Sequence, residues 1–112
     1  MDLPPRRRSR QRQDAIADAL YIIGERWTLL VLRELGSGVT RFADIQGHTG
    51  APRSTLSPRL RKLEDYRLIE RHRYCEHPSR NEYFLTQAGQ DLRPVLRSLR
   101  NRGRTLRHPD RF

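Results

Sequence analysis

The stretch RSTLSPRLRKLE, Arg53 to Glu64, decides the fold. Leu56, Leu60 and Leu63 recur at i, i+4 and i+7, which places three leucines on one face of a helix. Ser54, Ser57, Arg61 and Lys62 fill the remaining surface, with Pro58 set among them. One side is made to be buried, the other to meet something polar. Two starts fit this helix, which runs from about Pro52 to Tyr66. If it begins at Pro52, Pro58 removes an internal hydrogen bond and crowds the Ser54 carbonyl. If Ser54 is the N-cap, Pro58 falls near the first turn at lower cost.

Downstream, LIERHRYCE, Leu68 to Glu76, has strand chemistry, HPSRN is turn-rich, and Asn81 to Leu85 forms a second strand. This is a β-hairpin with a loop of about four residues. Thr86 then reads as an N-cap for a helix carrying Leu92, Val95, Leu96 and Leu99 on one stripe. Pro94 should bend that helix, and Gly103 should end it. Upstream, Asp14 opens a helix with Ile16, Ala19, Leu20 and Ile23 on one face and a stop at Gly24. ERWTLLVLREL, about Glu25 to Leu35, is apolar nearly all round and should be deeply buried, with GSG at 36–38 as its end. Thr40 to Phe42 is a short strand or an extended lead-in, and Phe42 and Ile45 mark one short helix closed by Gly47 or Gly50. The organisation expected is a flexible basic arm at 1–13, one domain at 14–103, and a basic tail at 104–112.

The order helix, helix, short helix, helix, hairpin, helix defines the fold class. It is mainly α with a small β-hairpin, a winged helix-turn-helix. In that arrangement the helix after the turn enters the major groove of double-stranded DNA. Its start must be slim, and Ser54, Thr55 and Ser57 keep it so while offering hydroxyls. Arg53, Arg59, Arg61 and Lys62 supply cations to phosphate. The charge balance agrees. The chain has a formal net charge of +10, built from 23 basic residues of which only Lys62 is lysine. Residues 1–12 carry five arginines and one aspartate, residues 97–112 six and one. Residues 53–73, inside the folded body, carry seven cations and three acids. The rest of the body is net acidic. Basic tails alone could serve solubility, but the block at 53–73 points to a polyanion.

Ile16, Leu20 and Ile23 on the first helix, with Leu92, Leu96 and Leu99 on the last, exceed what one small body can cover. They form the expected homodimer interface. A two-fold dimer presents its two reading helices about one DNA turn apart, roughly 34 Å, over an inverted repeat.

Three passages together, GERWTLLVLREL, TLSPRLRKLE followed by LIER, and EYFLTQAGQDLRP, closely resemble the HxlR-type winged helix-turn-helix transcriptional regulators. The likeness covers about Ala19 to Leu99. It implies DNA-binding homodimers of bacteria or archaea, with the helix from Pro52 as recognition helix and Arg71 to Tyr83 as wing. It places DNA contacts at Arg53, Ser54, Thr55, Ser57, Arg59 and Lys62, and wing contacts at Arg73, His77 and Arg80. Many such regulators carry a cysteine just before the first helix, used in some as a redox sensor. Here Asp14 and Ala15 stand there, so that mode does not transfer.

The one cysteine, Cys75, excludes an internal disulfide framework and fits a reducing cytoplasm, where a nucleoid-associated regulator would act. Cys75 beside Arg73 and His77 is a minor candidate for an oxidation sensor. His72, Cys75 and His77 do not converge on a strand, so no metal is expected there. No apolar run approaches the roughly 18–20 residues of a membrane span. No nucleophile–base, paired-carboxylate or glycine-rich phosphate pattern occurs, so neither an enzyme nor a cofactor is expected. Trp27 is read as core. The functional reading is a sequence-specific regulator, in the repressing sense; a weakly specific DNA-coating protein is the alternative that the total charge allows.

Overall fold

The computed structural model describes residues 14–106. The expected arm, 1–13, and the tail from 107 on lie outside them. Six helices and a hairpin follow in order among the described residues: α1 (Ala15–Ile23), α2 (Thr28–Gly36), α3 (Phe42–Thr49), α4 (Arg53–Asp65), β1 (Ile69–Cys75), β2 (Arg80–Leu85), α5 (Gln87–Gln90) and α6 (Arg93–Gly103). The mainly helical winged helix-turn-helix read from the sequence is the fold observed.

Local chemistry sets the boundaries. Asp14 caps α1, accepting the Ala17 amide at 3.3 Å. α2 begins three residues later than its apolar pattern suggests. The Glu25 carboxylate takes the Trp27 amide at 2.9 Å and the Thr28 hydroxyl at 3.2 Å, holding Glu25–Trp27 in a turn that seats the first helical residue. α4 starts at Arg53 with Pro52 extended before it, so Pro58 lies inside the helix and the late start is not taken.

The core is centred on α2. Val31, Leu32 and Leu35 meet Ile45 of α3, the three leucines of α4, and Ile69 of β1, all at most 6% exposed. Burial of each such side chain stabilises the fold by about 1.5–3 kcal/mol. Two polar residues join them, Thr28 and Glu34. Glu34 accepts Arg33 at 3.0 Å and meets His48 Nδ1 at 2.8 Å, clamping α2 to the end of α3. Burial pushes its carboxyl pKa up, but the hydrogen bonds and charges of His48 and Arg33 outweigh this and hold it below the ordinary value.

β1 and β2 pair antiparallel from Ile69 opposite Leu85 to Arg73 opposite Asn81, with a bulge that leaves Tyr74 extra before Cys75 meets Arg80. The segment before α3 joins as a single bridge. Arg41 pairs with Glu82, and the Tyr83 amide donates to the Thr40 carbonyl at 2.8 Å. The lead-in is thus a one-residue third strand that pins the wing to the start of α3.

Two sequence expectations are corrected. The helix expected from Thr86 onward is divided, not bent. Pro94 has no amide to give the Gln90 carbonyl, so α5 stops at Gln90 and α6 restarts with Pro94 in its first turn. Ile23 is 8% exposed and belongs to the core of its own chain, so it leaves the set of interface candidates. Ile16, Leu20 and Leu99 remain open to solvent at 75%, 52% and 48%, while Leu92 and Leu96 are half-buried against the core. Trp27 is also half-buried against the core, with the Arg26 guanidinium 4.4 Å from its ring centroid.

Candidate nucleic-acid interface

α4 divides as its sequence demands. Leu56, Leu60 and Leu63 are buried, and at 3.6 residues per turn the opposite side carries Ser54, Pro58, Arg61 and Asp65, of which all are exposed. Pro58 therefore sits on the outward face. The Ser54 carbonyl that loses its amide partner there is turned away from the core, which lowers the cost of the proline. Thr55 and Ser57 are half-buried on either flank.

The cations of α4 do not share one role. Arg61 is exposed at the outward face. The Arg53 guanidinium lies 4.9 Å from the Phe42 ring centroid. Arg59 turns toward the body and pairs with Glu25 at 3.3 Å, its Nε sealed from solvent without a well-formed hydrogen bond. Lys62 Nζ donates to the Tyr21 carbonyl at 2.6 Å and lies 4.2 Å from the Tyr21 ring centroid. That carbonyl is in the last turn of α1, so Lys62 closes the C-terminus of α1, where a cation is favoured. Arg59 and Lys62, both expected at DNA, are thus engaged within the chain.

Two polar grooves flank α4 on the hairpin side. One, of about 540 Å³, is lined by Arg53 and Ser57 of α4, by Arg80 and Asn81 of β2, and by Arg41, Tyr74 and Tyr83 among others. The second, of about 360 Å³, lies between Ser57, Arg61 and Glu64 on one wall and Arg71 and Tyr83 on the other. Burial is the main cause that raises the Tyr83 pKa, with Glu64 adding to it and Arg71 and Arg61 opposing, so its hydroxyl stays a neutral donor. Arg73 and His77 are exposed toward the hairpin tip, Arg73 Nη1 lying 3.4 Å from Glu76. The geometry therefore gathers Arg53, Ser57 and Arg80 in one groove, Ser57 and Arg61 in the other, and Arg73 and His77 farther out.

Arg41 was not singled out by the sequence, and Arg71, Tyr74, Asn81 and Tyr83 entered only as part of the Arg71 to Tyr83 wing, with no contact of their own assigned. Arg41 reaches the site through the pairing of its segment with Glu82 and Tyr83 of β2, which no local pattern encodes. Cys75 is half-buried at the strand end, and His72 pairs with Glu70 at 2.6 Å. Among the described residues no three His, Cys, Asp or Glu side chains are grouped to hold a metal, and no helix is long and apolar enough to cross a membrane.

Comparison with known proteins agrees with this fold. Residues 22–110 match the model of the HxlR-like helix-turn-helix family. An uncharacterized HTH-type transcriptional regulator of Mycobacterium tuberculosis is 49% identical over 79 residues, covering 70% of this chain and 50% of that protein. One from Synechocystis is 39% identical over 89 residues, 79% of this chain and 66% of that protein. This chain spans about half the length of the mycobacterial relatives it matches. Among solved structures, a candidate transcription factor superposes with a TM-score of 0.78 at 31% identity, covering 93% of this chain and 74% of that one. The reduced form of the Bacillus subtilis transcriptional regulator YodB gives a TM-score of 0.70 at 26% identity, over 86% of this chain and 95% of that one. On its fold, its hairpin-flanked fourth helix and the span of the family match, the chain belongs to the HxlR-like helix-turn-helix family.

Proposed function

We propose that the protein is a transcriptional regulator that reads double-stranded DNA in the cytoplasm. The observation that carries this is the division of α4. Its leucines are at most 2% exposed, while Ser54, Pro58 and Arg61 stand outward beside a wing bearing Arg73, His77 and Arg80. Slim hydroxyls at the start of the helix suit base edges, and the flanking arginines suit phosphate. The basic arms at 1–13 and 104–112 add phosphate contacts and steepen the salt dependence.

In this reading the protein acts as a homodimer on an inverted repeat and represses by blocking promoter access. The dimer is supported by Ile16, Leu20 and Leu99, large apolar side chains left exposed on the terminal helices. The apolar cleft of Leu29, Leu30, Leu96 and Leu99 offers a place for such side chains. The Ile16 and Leu20 face of α1 from a second copy complements that cleft in polarity.

The alternative, a weakly specific DNA-coating protein, draws on the net charge of +10. The specificity ratio separates them. A regulator prefers its operator over random duplex by about 10³ or more at physiological salt. The test is footprinting on DNA flanking its own gene, with quantitative competition by random duplex. A protected inverted repeat with that ratio is expected; equal retention of random duplex would establish the coating protein instead.

A further inference from the structure

The larger groove beside α4 has arginines from three elements: Arg41 before α3, Arg53 in the first turn of α4, and Arg80 at the start of β2. Two are held against aromatic faces. Arg41 Cζ is 4.1 Å from the Tyr74 centroid and Arg53 Cζ is 4.9 Å from that of Phe42. A guanidinium stacked on a ring keeps its N–H edges free for acceptors and has already lost much of its freedom, so less is lost on binding. The bulge supplies one platform by making Tyr74 the extra residue of β1. Two carboxylates oppose the arginines. Asp44 lines the groove, and Glu82 lies 3.5 Å from Arg41 while also accepting the Thr40 hydroxyl at 2.8 Å. Three cations still exceed two acids. Ser57, Asn81 and Tyr83 add neutral donors, and about 540 Å³ leaves room for a phosphodiester with a flanking sugar.

We propose that this groove is a backbone clamp, in which Arg41, Arg53 and Arg80 hold one phosphodiester of the DNA strand bordering the recognition helix and so fix its register on the duplex. The inference rests on the DNA-binding reading above and adds Arg41 and its Tyr74 platform, which the sequence did not indicate. Arg41 and Arg80 stand beside α4, off its outward face, where a backbone passes and bases do not. Forked guanidinium groups meet phosphate oxygens two at a time. Such contacts position a protein without specifying sequence.

The test combines protein variants with neutral phosphates. Arg41→Met and Arg53→Met should each weaken binding to all duplexes about tenfold and lower the salt slope by about one. Operator duplexes with a single methylphosphonate, scanned along both strands, should contain one position per half-site that weakens the parent protein. The same position should leave Arg41→Met unaffected, because the charge it removes has lost its partner. That coupling is read within each protein, so it survives a general loss of stability in a variant. Tyr74→Leu, which keeps every charge, should weaken binding with the salt slope unchanged. The clamp is overturned if the parent binds duplex with a normal slope while both arginine variants keep that slope and no methylphosphonate position couples to them. It is also overturned if the variants lose affinity for inorganic phosphate or a mononucleotide while duplex binding is intact. A parent that binds no duplex overturns the functional reading itself, and the clamp with it.

Discussion

Arg67 takes a left-handed backbone, φ 61°, just past Tyr66, the C-cap of α4. Its amide donates to the Glu64 carbonyl and that of Leu68 to the Leu63 carbonyl, a pair of bonds that closes a helix when the residue between them turns left-handed. α2 ends the same way, with Gly38 at φ 92° and the bonds Gly38 to Leu35 and Val39 to Glu34. At Gly38 the turn is free of Cβ strain; at Arg67 it is not. Arg67→Gly should therefore stabilise the protein by about 0.5–1 kcal/mol in chemical denaturation, the strain relieved less the added entropy of the unfolded chain. Gly89 is the opposite case. A Cβ there would lie 2.2 Å from the Leu68 carbonyl oxygen, so Gly89→Ala must push α5 off the start of β1 and lower the midpoint of unfolding. Glu34 links stability to pH. Its depressed pKa makes its contribution present above the ordinary carboxylate range and lost as pH falls through the folded-state value. Glu34→Gln should be less stable than the parent at neutral pH and should lose less of its stability on acidification, followed by thermal unfolding at several pH values.

α4 shows how much of an element its own sequence reveals. The leucine spacing foretold the buried face, and the hairpin after it followed from strand and turn chemistry. Which cations point at a partner did not follow. Arg53, Arg59, Arg61 and Lys62 look alike in the sequence, but Glu25 and the end of α1 are brought alongside two of them only by tertiary packing. The division of the last helix was half legible: Pro94 announced a disturbance, and only packing decides between a bend and a break. Lys62 gives these points a measurable form. Because it closes α1 rather than facing outward, Lys62→Met should leave the salt slope of DNA binding unchanged while loosening α1, seen as faster amide exchange at the end of that helix. Arg61→Met should lower the slope by about one with α1 unaffected. A lowered slope in Lys62→Met would place its ammonium at phosphate instead.

For the molecule as a whole, charge and apolar surface are segregated. The core gathers around α2, the acidic and apolar α1 projects from it, and the cations converge on α4 and the wing. Composition made the basic character plain from the start, and the exposed terminal helices were readable as unsatisfied apolar stripes. The larger groove beside α4 was not readable, since Arg41, Arg53 and Arg80 belong to separate segments that only tertiary contacts bring together, among them the Thr40–Tyr83 bond and the Arg41–Glu82 pair. The central claim is that the Ser54, Pro58 and Arg61 face of α4 lies in the major groove. It is tested most directly by methylation protection of guanine N7, a major-groove atom, on the footprinted operator. Two protected blocks about 10 base pairs apart, displaced in Ser54→Trp, are the result predicted. Sugar–phosphate protection with every guanine N7 fully reactive would contradict it.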